Sequence, residues 1–379
     1  MSLFHWTLTI SRKKPPLPAG IDFYHLWAVA KANEFNGASL GPPWPETYRY
    51  EVILALYAYK STDLLQKTAQ KHRKTLDLTG TPFSYAAFSI LPTSYSVAFR
   101  FYRFFLVILF LAVFWVLARC WRQSRVLFLI SAIGLMLLYD PLGSDLRVGN
   151  TNVLVFSLFS GTLALLQTGS VKSRRRWWKQ CSGIVLVLIG ILLKPMWWIL
   201  IVALSVHLFL IEDWIRVRRI LIVSFFSGTL LLALPCLFFQ DLGVWAKWFQ
   251  SIIAQGDVRL SREVSAGNFA SLKLFSDLFG WSWLTTGFIT TLLMTIPIVS
   301  GKRPLARNLK KFRDPGFAMA VGLTTCIALT PLCWVHYFVM LILPALWLLV
   351  HGGKWGKRAA LLSLGLCSGI VPPYSVFGH

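Results

Sequence analysis

Residues 182–211 read SGIVLVLIGILLKPMWWILIVALSVHLFLI, a run whose one full charge, Lys194, stands directly before its one proline, Pro195. A helix rises about 1.5 Å per residue, so about 20 residues cross a hydrocarbon core roughly 30 Å thick. The 30 residues are too many for one crossing and short for two. The flanks choose between these. Upstream stand Lys172, Arg174, Arg175, Arg176 and Lys179; downstream stand Arg216, Arg218 and Arg219. Basic loops stay on the cytoplasmic side, so both flanks belong to one face and an even number of crossings separates them. The stretch is therefore expected to be a hairpin with Lys194-Pro195 at its far tip. Each arm of about 15 residues reaches roughly 22 Å, which leaves the tip slightly below the outer surface. An ammonium is costly there unless it faces protein or a wet cavity.

The whole chain agrees with this start. Its 379 residues are 56% hydrophobic with net charge +23, which excludes an ordinary soluble domain and indicates a multi-span, all-helical membrane protein. The basicity is not a nucleic-acid signal. Of the 38 Lys and Arg, 20 fall in five short segments between apolar stretches (119–125, 172–179, 216–219, 302–313 and 354–358), where positive-inside bias accounts for them. Cysteines 120, 181, 236, 326, 333 and 367 lie in or beside apolar stretches without metal spacing, so neither a disulfide framework nor a zinc site is expected.

Ten spans are expected, at 96–118, 126–139, 150–168, 181–193, 196–211, 220–239, 282–300, 317–332, 337–350 and 359–373. Alternation then puts all five basic segments on one side. It puts residues 1–95, 140–149, 240–281 and 333–336 on the other, in a cell membrane of bacterial inner-membrane type. Residues 1–95 are expected to be an extracytoplasmic region with surface helices, and 96–379 the transmembrane domain. Delivering residues 1–95 to the outside requires a further span upstream, so the first span is expected to be missing from this sequence.

Functional polar residues collect on the outer face: Asp22; Asp145, Arg147, Asn150 and Asn152; Lys194; Arg259, Arg262 and Asn268; and His336. Few ionisable residues fall mid-span, which argues for a reaction site at the outer boundary over an ion path. Plainer roles exist for each. Asp22 suits a helix N-cap, Lys194 an interfacial anchor beside Trp197 and Trp198, and His336 a helix end. Arg147 suits an ion pair with Asp145, and Gly149-Asn150 a turn.

Taken in order, these residues resemble the integral-membrane glycosyltransferases of the GT-C superfamily, in particular family 87, whose members use polyprenyl-phosphate-mannose. The resemblance spans about residues 20–350. It rests on Gly20-Ile21-Asp22-Phe23-Tyr24, Gly149-Asn150-Thr151-Asn152, Leu193-Lys194-Pro195, Asn268 to Leu272, and Cys333 to Tyr337. The chain departs from that pattern where Asn150 replaces a glutamine, Cys333 replaces a serine, and Pro195 directly follows Lys194. The resemblance implies a GT-C-like fold with an outward-facing pocket, and inverting transfer of a hexose, mannose by family, from a polyprenyl-phosphate donor to a glycolipid or envelope-glycan acceptor. It implies Asp22 as catalytic base. Lys194 and His336, with Arg147 as a third choice, would bind phosphate, and Asn150, Asn152 and Asn268 would orient the sugar. Membrane lipid is the expected surrounding and nucleic acid is not a partner. With no Asp-x-Asp motif in the outer loops, no metal and no cofactor are expected. A transporter or lipid flippase, a glycan polymerase or ligase, and a structural membrane subunit are the competing readings.

Overall fold

Pro195 carries no N–H for the carbonyl four residues back, so it ends the first arm of the 182–211 stretch. The computed structural model describes residues 19–35, 63–72, 80–167, 174–212, 214–250, 310–330, 333 and 335–367. Every regular element among the described residues is helical. In chain order these are α1 (Ile21–Phe35), α2 (Leu64–His72), α3 (Pro82–Phe88), α4 (Tyr95–Cys120), α5 (Arg125–Leu138), α6 (Asp140–Val148) and α7 (Asn152–Gln167). There follow α8 (Arg174–Leu193), α9 (Ile199–Ile211), α10 (Trp214–Phe239), α11 (Pro315–Leu329), α12 (Ile342–His351) and α13 (Lys354–Leu366). Short 3-10 helices at Pro195–Trp197 and Val335–Leu341 lead into α9 and α12.

The chain reverses at Lys194-Pro195. Gln180, near the start of α8, donates from Nε2 to Glu212 Oε1 just past the end of α9, at 2.7 Å. The two basic flanks therefore meet at one end while Lys194 lies at the other. The arms use different neighbours: α8 packs mainly against α7 and α10, and α9 mainly against α11.

Among the described residues two helices, α4 and α10, are long and apolar enough to cross a membrane, each with 26 residues or about 39 Å. They coincide with the spans expected at 96–118 and 220–239. The pair α6 and α7, bent by 117° at its break, makes a third candidate. Helices α5 and α11, with the stretches Trp177–Leu193, Pro195–Ile211 and Val335–His351, are shorter apolar segments at other expected positions. The expected span 282–300 lies outside the described residues. Phe101, Phe104 and Ile108 on α4, and Phe225, Phe226 and Leu237 on α10, stand exposed. Apolar exteriors of this extent suit a lipid surrounding.

Helix α1 departs from the surface helices expected before residue 95. From Phe23 to Lys31 it is buried on every side, in the same core as α3 and α4. Phe23 packs its ring against Phe88, Tyr95, Phe99 and Tyr102, with centroids 5.2–5.9 Å apart. An unbroken run of buried residues belongs to a core helix and gives a bilayer surface no single apolar face to hold.

Candidate functional site

Gly20 starts α1 in the left-handed region, φ 78°, and a side chain there would collide with the Tyr95 hydroxyl. Its N–H donates to the Arg147 carbonyl at 2.8 Å, and its own carbonyl accepts from Tyr95 Oη at 2.8 Å. The first bond ties the start of α1 to the end of α6, and the second ties it to the start of α4. They fix where Asp22, half-buried in the first turn of α1, presents its carboxylate.

The end of α6 is set by Gly149, at φ 72° and ψ 40°. A Cβ there would stand 2.6 Å from the Phe23 Cβ, so glycine is needed both for its backbone angle and for the approach of α1. Beyond the break, the first N–H groups of α7 need acceptors. Asp145, fully buried, supplies one: its Oδ2 accepts from Val153 N at 3.1 Å and its Oδ1 from Asn152 Nδ2 at 2.8 Å. A carboxylate at a helix N-terminus also meets the positive end of the helix dipole.

Lys194 enters from the hairpin tip. Its ammonium donates to Asn152 Oδ1 at 2.6 Å and to Asn150 Oδ1 at 3.0 Å, and it lies 3.8 Å from the centre of the Tyr337 ring. The Asn150 amide also donates from Nδ2 to Asp22 Oδ2 at 2.8 Å and contacts His336 Nε2 at 3.2 Å. Asn152 Nδ2 donates to the His336 carbonyl at 3.1 Å. Four segments far apart in sequence thus share one hydrogen-bonded cluster running Asp22–Asn150–Lys194–Asn152–Asp145, with His336 and Tyr337 closing over it. Among known family models, curated proteins and solved structures, none matches this chain.

The tip is held in place by α3. With Pro195 ending α8, the carbonyls of Leu192 and Leu193 accept instead from the hydroxyls of Thr81 and Ser84, the latter at 2.9 Å. Ser84 and Tyr85 lie in the first turns of α3, and Tyr85 Oη pairs with His25 Nε2 of α1 at 2.8 Å. Helix α3 therefore bridges the helix that carries Asp22 and the tip that carries Lys194.

Of the residues singled out in the sequence, Asp22, Asn150, Asn152, Lys194 and His336 come together. Arg147 does not join them: its side chain is exposed and only its backbone carbonyl serves the site, through Gly20. Asp145 turns inward to Asn152 and Val153 in place of the ion pair with Arg147 that their spacing suggests. Asn268, Arg259 and Arg262 lie outside the described residues. Two participants were not picked out as site residues. Asp145 stood among the outer-face polar residues only as an ion-pair partner for Arg147, and Tyr337 appeared only as the end of the Cys333–Tyr337 tip. No local pattern set Asp145 apart from Asp140 and Arg147.

Chemically, the cluster offers a half-buried carboxylate, an ammonium and an imidazole within a few ångströms. A carboxylate can take a proton from a hydroxyl, and the cation with a ring N–H can hold a phosphate that leaves with negative charge. For Lys194 to reach an anion it must exchange one present partner. The Tyr337 face is the weakest of the three and the side on which exchange costs least.

Proposed function

We propose that the chain is a ten-span integral-membrane glycosyltransferase of the GT-C type, acting at the extracytoplasmic face of the cell membrane. In this reading Asp22 takes the proton of an acceptor hydroxyl as the acceptor oxygen bonds to the anomeric carbon of a hexose. The bond from that carbon to the polyprenyl phosphate breaks, and the electron pair leaves with the phosphate. Lys194 and His336 hold the departing phosphate, and direct displacement inverts the anomeric carbon. Mannose is the proposed sugar, and a glycolipid or envelope glycan the acceptor. Arg147, whose side chain is exposed, is the third choice for a phosphate contact in this reading. The observation that carries the reading is the single bridge by which the Asn150 amide joins Asp22 to Lys194 and His336. The bridge brings a carboxylate, an ammonium and an imidazole together, and transfer from a lipid phosphate calls for a proton acceptor beside groups that can bind an anion.

A second reading, a lipid transporter or flippase, draws on the 117° break between α6 and α7, since discontinuous helices beside polar groups recur in transporters. Transfer of labelled mannose from polyprenyl-phosphate-mannose, in membranes holding equal amounts of wild type, Asp22→Asn and Lys194→Ala, separates the two. Labelled glycolipid from wild type and at least a hundredfold less from Asp22→Asn is the expected result, in keeping with the worth of a general base, about 10²–10⁴-fold. Undiminished product from Asp22→Asn removes the base. No product from any form, with lipid still moved between leaflets of reconstituted vesicles, favours the transporter.

A further inference from the structure

Asn150 has four hydrogen-bonding valences, two donors on Nδ2 and two lone pairs on Oδ1. All four are engaged within the protein. Lys194 and the backbone N–H of Thr151, at 3.0 and 2.7 Å, can only donate, so the atom facing them is the oxygen. The two Nδ2 hydrogens are then left for the Asp22 carboxylate and His336 Nε2. A nitrogen that receives an N–H cannot carry its own proton, so the neutral His336 ring holds its proton on Nδ1. No described residue meets Nδ1, and the ring is half-buried.

We infer that Asn150 is a positioning residue, whose amide sets His336 in the Nδ1–H tautomer and so leaves that N–H, which no described residue accepts, as a donor for a substrate phosphate. Asn150 touches no substrate in this arrangement, because its amide is saturated. The same amide stands between Asp22 and Lys194 and keeps the base from closing onto the cation. The tautomer stands on the hydrogen-bond geometry alone, whereas the phosphate contact rests on the glycosyl-transfer reading.

The test is nitrogen-15 NMR of the full chain, labelled at its seven histidines, in lipid nanodiscs at neutral pH. The His336 resonances are identified by their loss in His336→Gln. In wild type, Nδ1 is expected to be protonated and Nε2 bare. Asn150→Asp keeps the acceptor for Lys194 and Thr151 but replaces both donors with an oxygen, so Nε2 is expected to gain a proton. A protonated Nε2 in wild type overturns the inference, as does an Asn150→Asp protein in which Nε2 stays bare. Should Asn150→Asp fail to fold, the wild-type tautomer decides alone. A short-chain polyprenyl phosphate, with the matching alcohol as control, is then added to wild type. A shift of Nδ1 with the phosphate alone supports the contact; an unmoved Nδ1 overturns it. Absence of glycosyl transfer leaves the tautomer result intact, so the two failures are told apart.

Discussion

Lys194 and Asp145 are linked through one amide, since Asn152 accepts from the ammonium and donates to the carboxylate. Asp145 is wholly buried, so the cation is what makes a charged carboxylate tolerable there. Removing one member of a buried pair costs about 3–5 kcal/mol, whereas replacing both often costs little. Lys194→Met is therefore expected to lose about 3 kcal/mol of stability, and Lys194→Met with Asp145→Asn to recover most of it. Thermal unfolding of the detergent-solubilised variants, taken as a double-mutant cycle, checks this; additive losses would show that the two charges are independent. Lys194 was legible in the sequence because it is the one full charge in a 30-residue apolar run. Asp145 was not. Nothing local in DPLGSDLRVGN says which of its charged side chains turns inward, and only the packing of α6 against the Val335–Leu341 turn decides it.

Among the elements, the small N-terminal helices are joined to the long ones by side-chain caps. Asp63 caps two helices at once: Oδ1 accepts from Leu65 N and Gln66 N at 2.9 and 3.2 Å, and Oδ2 from Ser96 N at 3.0 Å. Partial burial acts to raise its pKa, but the bonds from Ser96, Gln66 and Leu65 together outweigh that and hold it below the ordinary value. A carboxyl depressed in the folded state stabilises the fold fully above its unfolded value, about 3.9, and that stability is lost as pH falls through the folded value. Asp63→Asn is thus expected to unfold more readily than wild type at pH 7, with the gap closing as pH drops below about 4. A gap independent of pH, read from urea unfolding across that window, would remove charge from the explanation. The hydroxyls of Thr81 and Ser84 do comparable work at the other end, each net bond contributing on the order of 1 kcal/mol. The carbonyls that Thr81 and Ser84 meet lie more than a hundred residues away, and no local pattern names them.

At the scale of the molecule, the Gln180–Glu212 bond and the Lys194 cluster mark opposite ends of α8, about 20 Å apart by helical rise. If the positive-inside assignment holds, one end faces the cytoplasm and the other the outside. Single cysteines at Arg218 and Arg147, in a chain whose six native cysteines are replaced by alanine or serine, report this directly. A membrane-impermeant maleimide added to intact cells is expected to label Arg147→Cys and to spare Arg218→Cys until the cells are opened. The reverse pattern would invert the topology and move the site to the cytoplasmic side.

Composition, basic segments and the lone charge before Pro195 were enough, without tertiary structure, to reach an all-helical chain with apolar segments, a reversal at Lys194 and several of the polar residues that gather there. These follow from solvent preference, which acts residue by residue and so can be read from a string. What only the tertiary structure decided is contact: that α1 is a core helix, that Asp145 faces inward while Arg147 faces out, and that Asn150 is saturated by protein groups. Each depends on which distant segment fills a given hydrogen-bond valence or ring face, and a sequence lists valences without pairing them.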